Sequence, residues 1–228
     1  MPIPGIVQDA DAGVLGLDFN ADGQRMTPPL AKAFRNANYR FCVRYVPREA
    51  TAKTLSIDLK RDEAQMLLDE GFAVMAVQHF ERAAGWVPDP DKGRRYGAFA
   101  AEWARSKIEL PAGVCIFLDL EAVRKGTPKD DIIGYCSNWF DEVKAAGYAP
   151  GIYLGDRARL SDAEVQKHLQ FKHYWVAFNE IRDLPLHLKQ IWIPSNPELR
   201  PKGAEGFRFQ ADRTFANADG SVHWLAPG

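Results

Sequence analysis

Two carboxylates close an apolar, β-branched run at Gly113-Val-Cys-Ile-Phe-Leu-Asp119-Leu-Glu121. Residues i and i+2 of a strand share a face, so Asp119 and Glu121 point the same way from its C-terminal end. Neighbouring acids repel, which pushes their pKa values apart and lets one stay protonated while the other is ionised. Glycosidic-bond cleavage asks for that division of labour. Extended geometry sets the two Cα atoms about 6.5–7 Å apart. The separation of the carboxyl tips, and with it the stereochemistry of a reaction, stays open at this level.

Further polar groups stand where other apolar runs end. Asp18 follows the first, Tyr45 the second, Gln78 or His79 the third and Tyr153 the fifth. Asn179 and Glu180 follow the sixth, and Gln210 with Asp212 the eighth. In parallel βα folds functional groups collect at these ends, around one concave opening. The candidate acids are therefore Asp18, Asp119, Glu121 and Asp212. Trp86 lies in a loop beside Pro88-Asp-Pro90-Asp91, where helix packing gives no obvious reason for burial, and Tyr45, Tyr153, Trp175 and Trp192 lie in or at the ends of strands. Aromatic faces of this kind suit the apolar faces of sugar rings. With Gln78, His79, Asn179 and Gln210 they form the candidate binding set. Trp103 and Trp139, on helices, read as core.

The elements that must position these groups alternate. Strand candidates cover 14–19, 39–45, 72–80, 114–120, 151–154, 174–178, 188–193 and 206–210, with helical segments between the earlier ones. Thr127-Pro128 followed by Asp130 and Asp131 opens one helix, which stops at Gly147. Ser56-x-Asp58 opens another, and Ser161-Asp-Ala-Glu164 is a capping box. The last connections are short and rich in proline (Leu184-Pro185; Pro194 through Pro201), too short for full covering helices. The expectation is an α/β fold: a TIM-like βα barrel with about five regular βα units and a thinner closing section of three strands. An open doubly wound sheet gives the same alternation, and the count of eight favours closure.

Composition narrows the chemistry. The 228 residues are 46% hydrophobic and 26% charged, with a formal net charge of −1. No global basic field exists to hold nucleic acid or an anionic membrane, and no run approaches a membrane span. Three cysteines, none in a Cys-x-x-Cys pair, make no closed disulfide framework. The N-terminus lacks a basic n-region and a long apolar segment, so the expectation is synthesis in the cytoplasm without a usual signal peptide. Asp18-Phe-Asn20-Ala-Asp22-Gly23 matches half of a calcium loop, but Pro29 stands where the closing Glu belongs, and a strand runs into an Asp-Gly turn instead. The five histidines form no zinc pattern, and no nucleophile elbow or phosphate loop is present. No metal or cofactor is expected.

Gly16-Leu-Asp18-Phe, Phe117-Leu-Asp119-Leu-Glu121, Gly151-Ile-Tyr153, Tyr174-Trp-Val-Ala and Phe209-Gln-Ala-Asp212, in this order, resemble family-25 glycoside hydrolases. More closely they resemble the related bacterial and phage domain called glycoside-hydrolase-like. The resemblance runs from about Val14 to the C-terminus, and Asp-x-Glu is its most specific part. It implies one glycoside-hydrolase-like barrel domain over 1–228 and a lysozyme-type muramidase activity on peptidoglycan. Glu121 would be the acid/base, Asp119 would orient the N-acetyl group or stabilise the transition state, and Asp18 and Asp212 would complete the acidic set. Ser221-Val222-His223-Trp224 and Gln78-His79-Phe80-Glu81 depart from the muramidase pattern and point to the glycoside-hydrolase-like branch. Such a protein would reach the wall after export or lysis, as a phage lysin or a secreted effector. Two rivals use the same barrel: a non-catalytic glycan-binding or wall-associated module, and an enzyme holding a metal on these acids.

Overall fold

The computed structural model describes residues 1–10, 13–19, 25–51, 57–81, 85–177, 182–184, 188–192, 211–216 and 222–228, of which 188–192 and 211–216 are described through their backbone. The strands are β1 (Ile6–Asp9), β2 (Leu15–Phe19), β3 (Tyr39–Val46), β4 (Ala73–Gln78), β5 (Cys115–Leu120), β6 (Ala149–Leu154), β7 (His173–Val176), β8 (Leu188–Trp192), β9 (Ala211–Ala216) and β10 (His223–Ala226). The helices are α1 (Pro28–Asn36), α2 (Arg61–Asp69), α3 (Pro90–Trp103), α4 (Lys129–Ala145) and α5 (Asp162–His168).

In hydrogen-bonded order the strands run β1-β10-β4-β3-β2-β9-β8-β7-β6-β5, and β4 also pairs with β5. That extra pairing curls the sheet back on itself, which an open doubly wound sheet would not do. The result is a mixed α/β fold with a curled sheet, compatible with a TIM-like barrel. Strands β2 through β8 pair in parallel with their neighbours along this curl, whereas β9 is antiparallel to both β2 and β8.

Alternation along the strands divides the core in two. Phe41, Val43, Met75, Val77, Cys115, Phe117, Tyr153 and Trp175 pack in the interior of the curl. Their sequence neighbours Cys42, Val74, Ala76, Ile116, Leu118, Ile152 and Leu154 face the helices, against Trp139, Phe140, Trp103 and Leu67. The interior is tight. A Cβ on Gly16 would stand 2.3 Å from the Phe41 ring, and one on Gly151 2.4 Å from the Phe117 ring.

Several local expectations are corrected. The run 206–210 lies outside the described residues, and the strand there is β9, which contains Asp212. The flanking strands β1 and β10 pair with each other and, through β10, with β4; neither was expected. Helix α2 starts at Arg61 after Lys60, not at Asp58, because Asp58 turns inward to another partner. Helix α4 starts after Pro128, while the Thr127 hydroxyl donates to Arg124 O. The capping box of Ser161 and Glu164 on α5 is present in both directions, and Trp103 and Trp139 are core.

All three thiols are buried and their pKa values are pushed up by burial, that of Cys115 to about 12 with the His223 amide partly opposing. Burial likewise raises Tyr135 and Tyr153 well above the usual phenol value. In an unfolded chain thiols titrate near pH 8.5 and phenols near pH 10. Above these values the unfolded chain gives up protons that the folded chain keeps, so stability falls as pH rises. The melting temperature is therefore expected to hold to about pH 8 and drop steadily towards about pH 10.5. A flat profile across that range in calorimetry would contradict the burial of these groups.

Candidate active site

Strand β5 carries the site because its inward face changes character along its length. Cys115 and Phe117 are apolar and fully buried, Asp119 on the same face is 1% exposed, and Glu121 just beyond the strand is partly exposed. The mouth of the curl thus presents one reachable carboxyl above one withdrawn from solvent. In the sheet, Asp119 is directly paired with Tyr153 of β6, and Tyr153 with Trp175 of β7.

Asp18, 2% exposed, is the next-to-last residue of β2. The register sets Asp212 of β9 opposite Asp18 and Trp192 of β8 opposite Asp212. Because β9 runs antiparallel, its first residues arrive where the parallel strands end. Asp212 therefore reaches this end from the start of a strand and not, as expected, from the end of one.

Tyr153 reports how these groups converge. Its phenol is held protonated first by burial, then by the negative charges of Glu121 and Asp119, with Tyr45 and Asp18 adding to the same effect. A hydroxyl kept neutral among acids is a hydrogen-bond donor in the mouth. Tyr45 stacks on His79 with ring centroids 4.3 Å apart at 23°, and His79 Nε2 lies 2.8 Å from Asp58 Oδ1. Asp58, 2% exposed, was missed as a site residue because Ser56-x-Asp58 reads as a helix start. Among the described residues no group of three or more His, Cys, Asp or Glu side chains could hold a metal ion.

Three binding candidates turn out to be structural. Gln78 is fully buried on the helix-facing side, donates to Pro47 O (2.9 Å) and Tyr96 O (2.8 Å), and accepts from Trp139 Nε1 (2.6 Å). Its parity is that of Val74 and Ala76; His79 has the inward one. Trp86 is 2% exposed, packed edge-on against Tyr135, with Nε1 donating to Glu121 O at 2.7 Å, so it offers no face to a sugar. Trp175 is 1% exposed, beneath Tyr153 and edge-on to it at 4.7 Å. Asn179, Glu180 and Gln210 lie outside the described residues.

A buried cation that sequence reasoning also passed over braces two of these ends. Arg44, fully buried on the outward face of β3, makes two hydrogen bonds to Glu63, donates to Phe19 O (2.9 Å) beside Asp18 and to Ile57 O (3.1 Å) beside Asp58. A charge flanked by Val43 and Tyr45 in the middle of a strand otherwise rich in apolar residues was the available signal.

The chain belongs to the family of the Rv2525c-like, glycoside hydrolase-like domain, whose model matches residues 32–192. It is similar to the Tat-secreted protein Rv2525c of Mycobacterium tuberculosis, solved with L-tartrate, at 16% identity and a TM-score of 0.65 over 94% of this chain and 100% of that one. It is also similar to GHIP, a glycosyl hydrolase 25 of Streptococcus pneumoniae, at 14% identity and a TM-score of 0.58 over 89% and 86%. The spore cortex lytic enzyme SleM of Clostridium perfringens gives 11% identity and a TM-score of 0.58 over 93% and 70%. At these identities the likeness is one of fold. No curated protein matches the chain.

Removing one partner of a buried ion pair strands the other charge and costs about 3–5 kcal/mol, whereas replacing both with apolar groups is far less costly. Arg44→Met is expected to lose stability on that scale in urea unfolding, and Arg44→Met with Glu63→Leu to recover most of it. A single-variant loss below about 1 kcal/mol would contradict the bracing role.

Proposed function

We propose that this chain is a glycoside hydrolase that cleaves the glycan strands of bacterial peptidoglycan, on one barrel domain of five βα units closed by three strands. The observation that carries the reading is the Asp119–Glu121 face: a withdrawn carboxylate below a reachable one, with Asp18 and the neutral Tyr153 hydroxyl in the same electrostatic neighbourhood. Binding alone gives no reason to collect acids that repel. Membership of a glycoside hydrolase-like family, and the fold shared with a family-25 enzyme and a spore cortex lytic enzyme, support the substrate class.

In this reading Glu121 gives its proton to the glycosidic oxygen as the bond to the anomeric carbon breaks. Asp119 stays ionised and stabilises the positive charge that develops there, or orients the substrate's N-acetyl group. If that group attacks the anomeric carbon, no second protein nucleophile is needed; water then opens the intermediate and returns a proton to Glu121. Asp18 and Asp212, paired in register, complete the acidic set, and Tyr45 and His79 form a planar edge against which a sugar ring can lie. The partner is a glycan, and no helix among the described residues is long and apolar enough to cross a membrane. The protein acts at the wall after export or lysis, in keeping with the Tat secretion of its relative Rv2525c.

Purified peptidoglycan treated with wild type is expected to release new reducing ends, identified as glycan fragments by mass spectrometry. Glu121→Gln should lower that release by about 10²–10⁴-fold while folding and wall binding persist. Wall binding by both proteins without release from either would instead identify a non-catalytic glycan-binding module, and undiminished release by the variant would remove Glu121 from the chemistry.

A further inference from the structure

Glu121 stands one residue beyond β5, where a strand no longer fixes its backbone, so something else must hold it. Three loops do. Its own carbonyl accepts from Trp86 Nε1 at 2.7 Å. The next residue, Ala122, turns with φ +54°, a left-handed conformation that is unfavourable for a non-glycine residue and persists only where surroundings enforce it. Here the Ala122 amide donates to Asp156 O at 2.7 Å and the Val123 amide to Arg157 O at 3.2 Å, both in the loop after β6. On the other side Trp86 and Val123 form a parallel bridge, and the Arg124 amide donates to Trp86 O at 2.9 Å. The side chain is confined as well: a Cβ on Gly155 would stand 2.5 Å from Glu121 Oε2.

We infer that Trp86 is a positioning residue for Glu121: a buried indole that fixes the peptide of the acid and ties the loop after β4 to the loop after β5. The inference rests on the proposed role of Glu121. A polar atom with one partner is common for a buried indole; what distinguishes this one is that the partner is the carbonyl of the acid itself, at a strained turn. Trp139 supplies the matched contrast. Its Nε1 is also buried and bonded, to Gln78 Oε1 on the helix-facing side, with no link to Glu121.

The test follows the carboxyl ¹³C signal of Glu121, assigned by its loss in Glu121→Gln, through a pH titration of the full chain. Trp86→Phe keeps an aromatic ring and removes the N–H; its Glu121 midpoint is expected to move by more than about half a pH unit, while Trp139→Phe leaves it in place. On peptidoglycan, Trp86→Phe should lower kcat by about 10- to 100-fold with KM within about twofold, and Trp139→Phe should change neither. An unmoved midpoint in Trp86→Phe, or equal shifts in both variants, would overturn the inference whatever the activity. If wild type releases no glycan, the hydrolase reading falls and the titration still decides the role of Trp86. Should Trp86→Phe not fold, wild-type indole exchange decides: Nε1–H of Trp86 is expected to exchange with deuterium as slowly as that of Trp139, and fast exchange would contradict the tether.

Discussion

Alternation along a strand in a curled sheet leaves each side chain two destinations, the interior or the helix layer, and β5 must satisfy both while delivering acids to the mouth. Its helix-facing residues, Ile116, Leu118 and Leu120, are uniformly apolar and buried. Its inward residues grade from Cys115 and Phe117 through Asp119 to Glu121, from fully buried to partly exposed. A carboxylate one step deeper would sit among Phe117, Trp175 and Met75 with no water to solvate it. One step further out it would lose the low-dielectric surroundings that make two neighbouring acids unequal. The positions of Tyr153, Asp18 and the β9 start follow from closing a sheet around that one gradient.

Polar groups buried between the sheet and its covering layer then hold the mouth in shape. Arg44 joins Glu63 of α2 to the end of β2 and to the loop that carries Asp58. Gln78 braces the helix layer rather than the mouth, joining β4 to α3 and α4 with its donors and acceptor all engaged. Trp86 joins two loops through the peptide of Glu121. Each replaces a solvent contact with a directional bond, so the contribution to stability is modest and the contribution to geometry large.

Much of the frame was legible in the sequence. The Asp-x-Glu spacing gives the shared face of Asp119 and Glu121, and seven of the apolar runs overlap strands. The capping box at Ser161 is written in four residues and forms as written. What was not legible depends on distant partners. Parity could have separated Gln78 from His79, since Val74 and Ala76 set the helix-facing side, but only once the limits of β4 are known. Asp58 resembles a helix cap until His79 is brought beside it, and Trp86 resembles an exposed loop aromatic until Tyr135 and Glu121 close around it. The antiparallel direction of β9 has no local signal, because strand pairing is chosen by the sheet rather than by the strand.

Hydrolysis by Glu121 requires a glycan to lie across the mouth. The most direct measurement is a crystal structure of Glu121→Gln, too slow to turn its ligand over, bound to a peptidoglycan glycan fragment. The prediction is a fragment crossing the mouth with one glycosidic oxygen within hydrogen-bonding distance of residue 121 and the adjoining sugar over Asp119. A fragment seated instead in the groove between Phe140, Tyr148 and Phe171, beside the starts of β6 and β7, would contradict it.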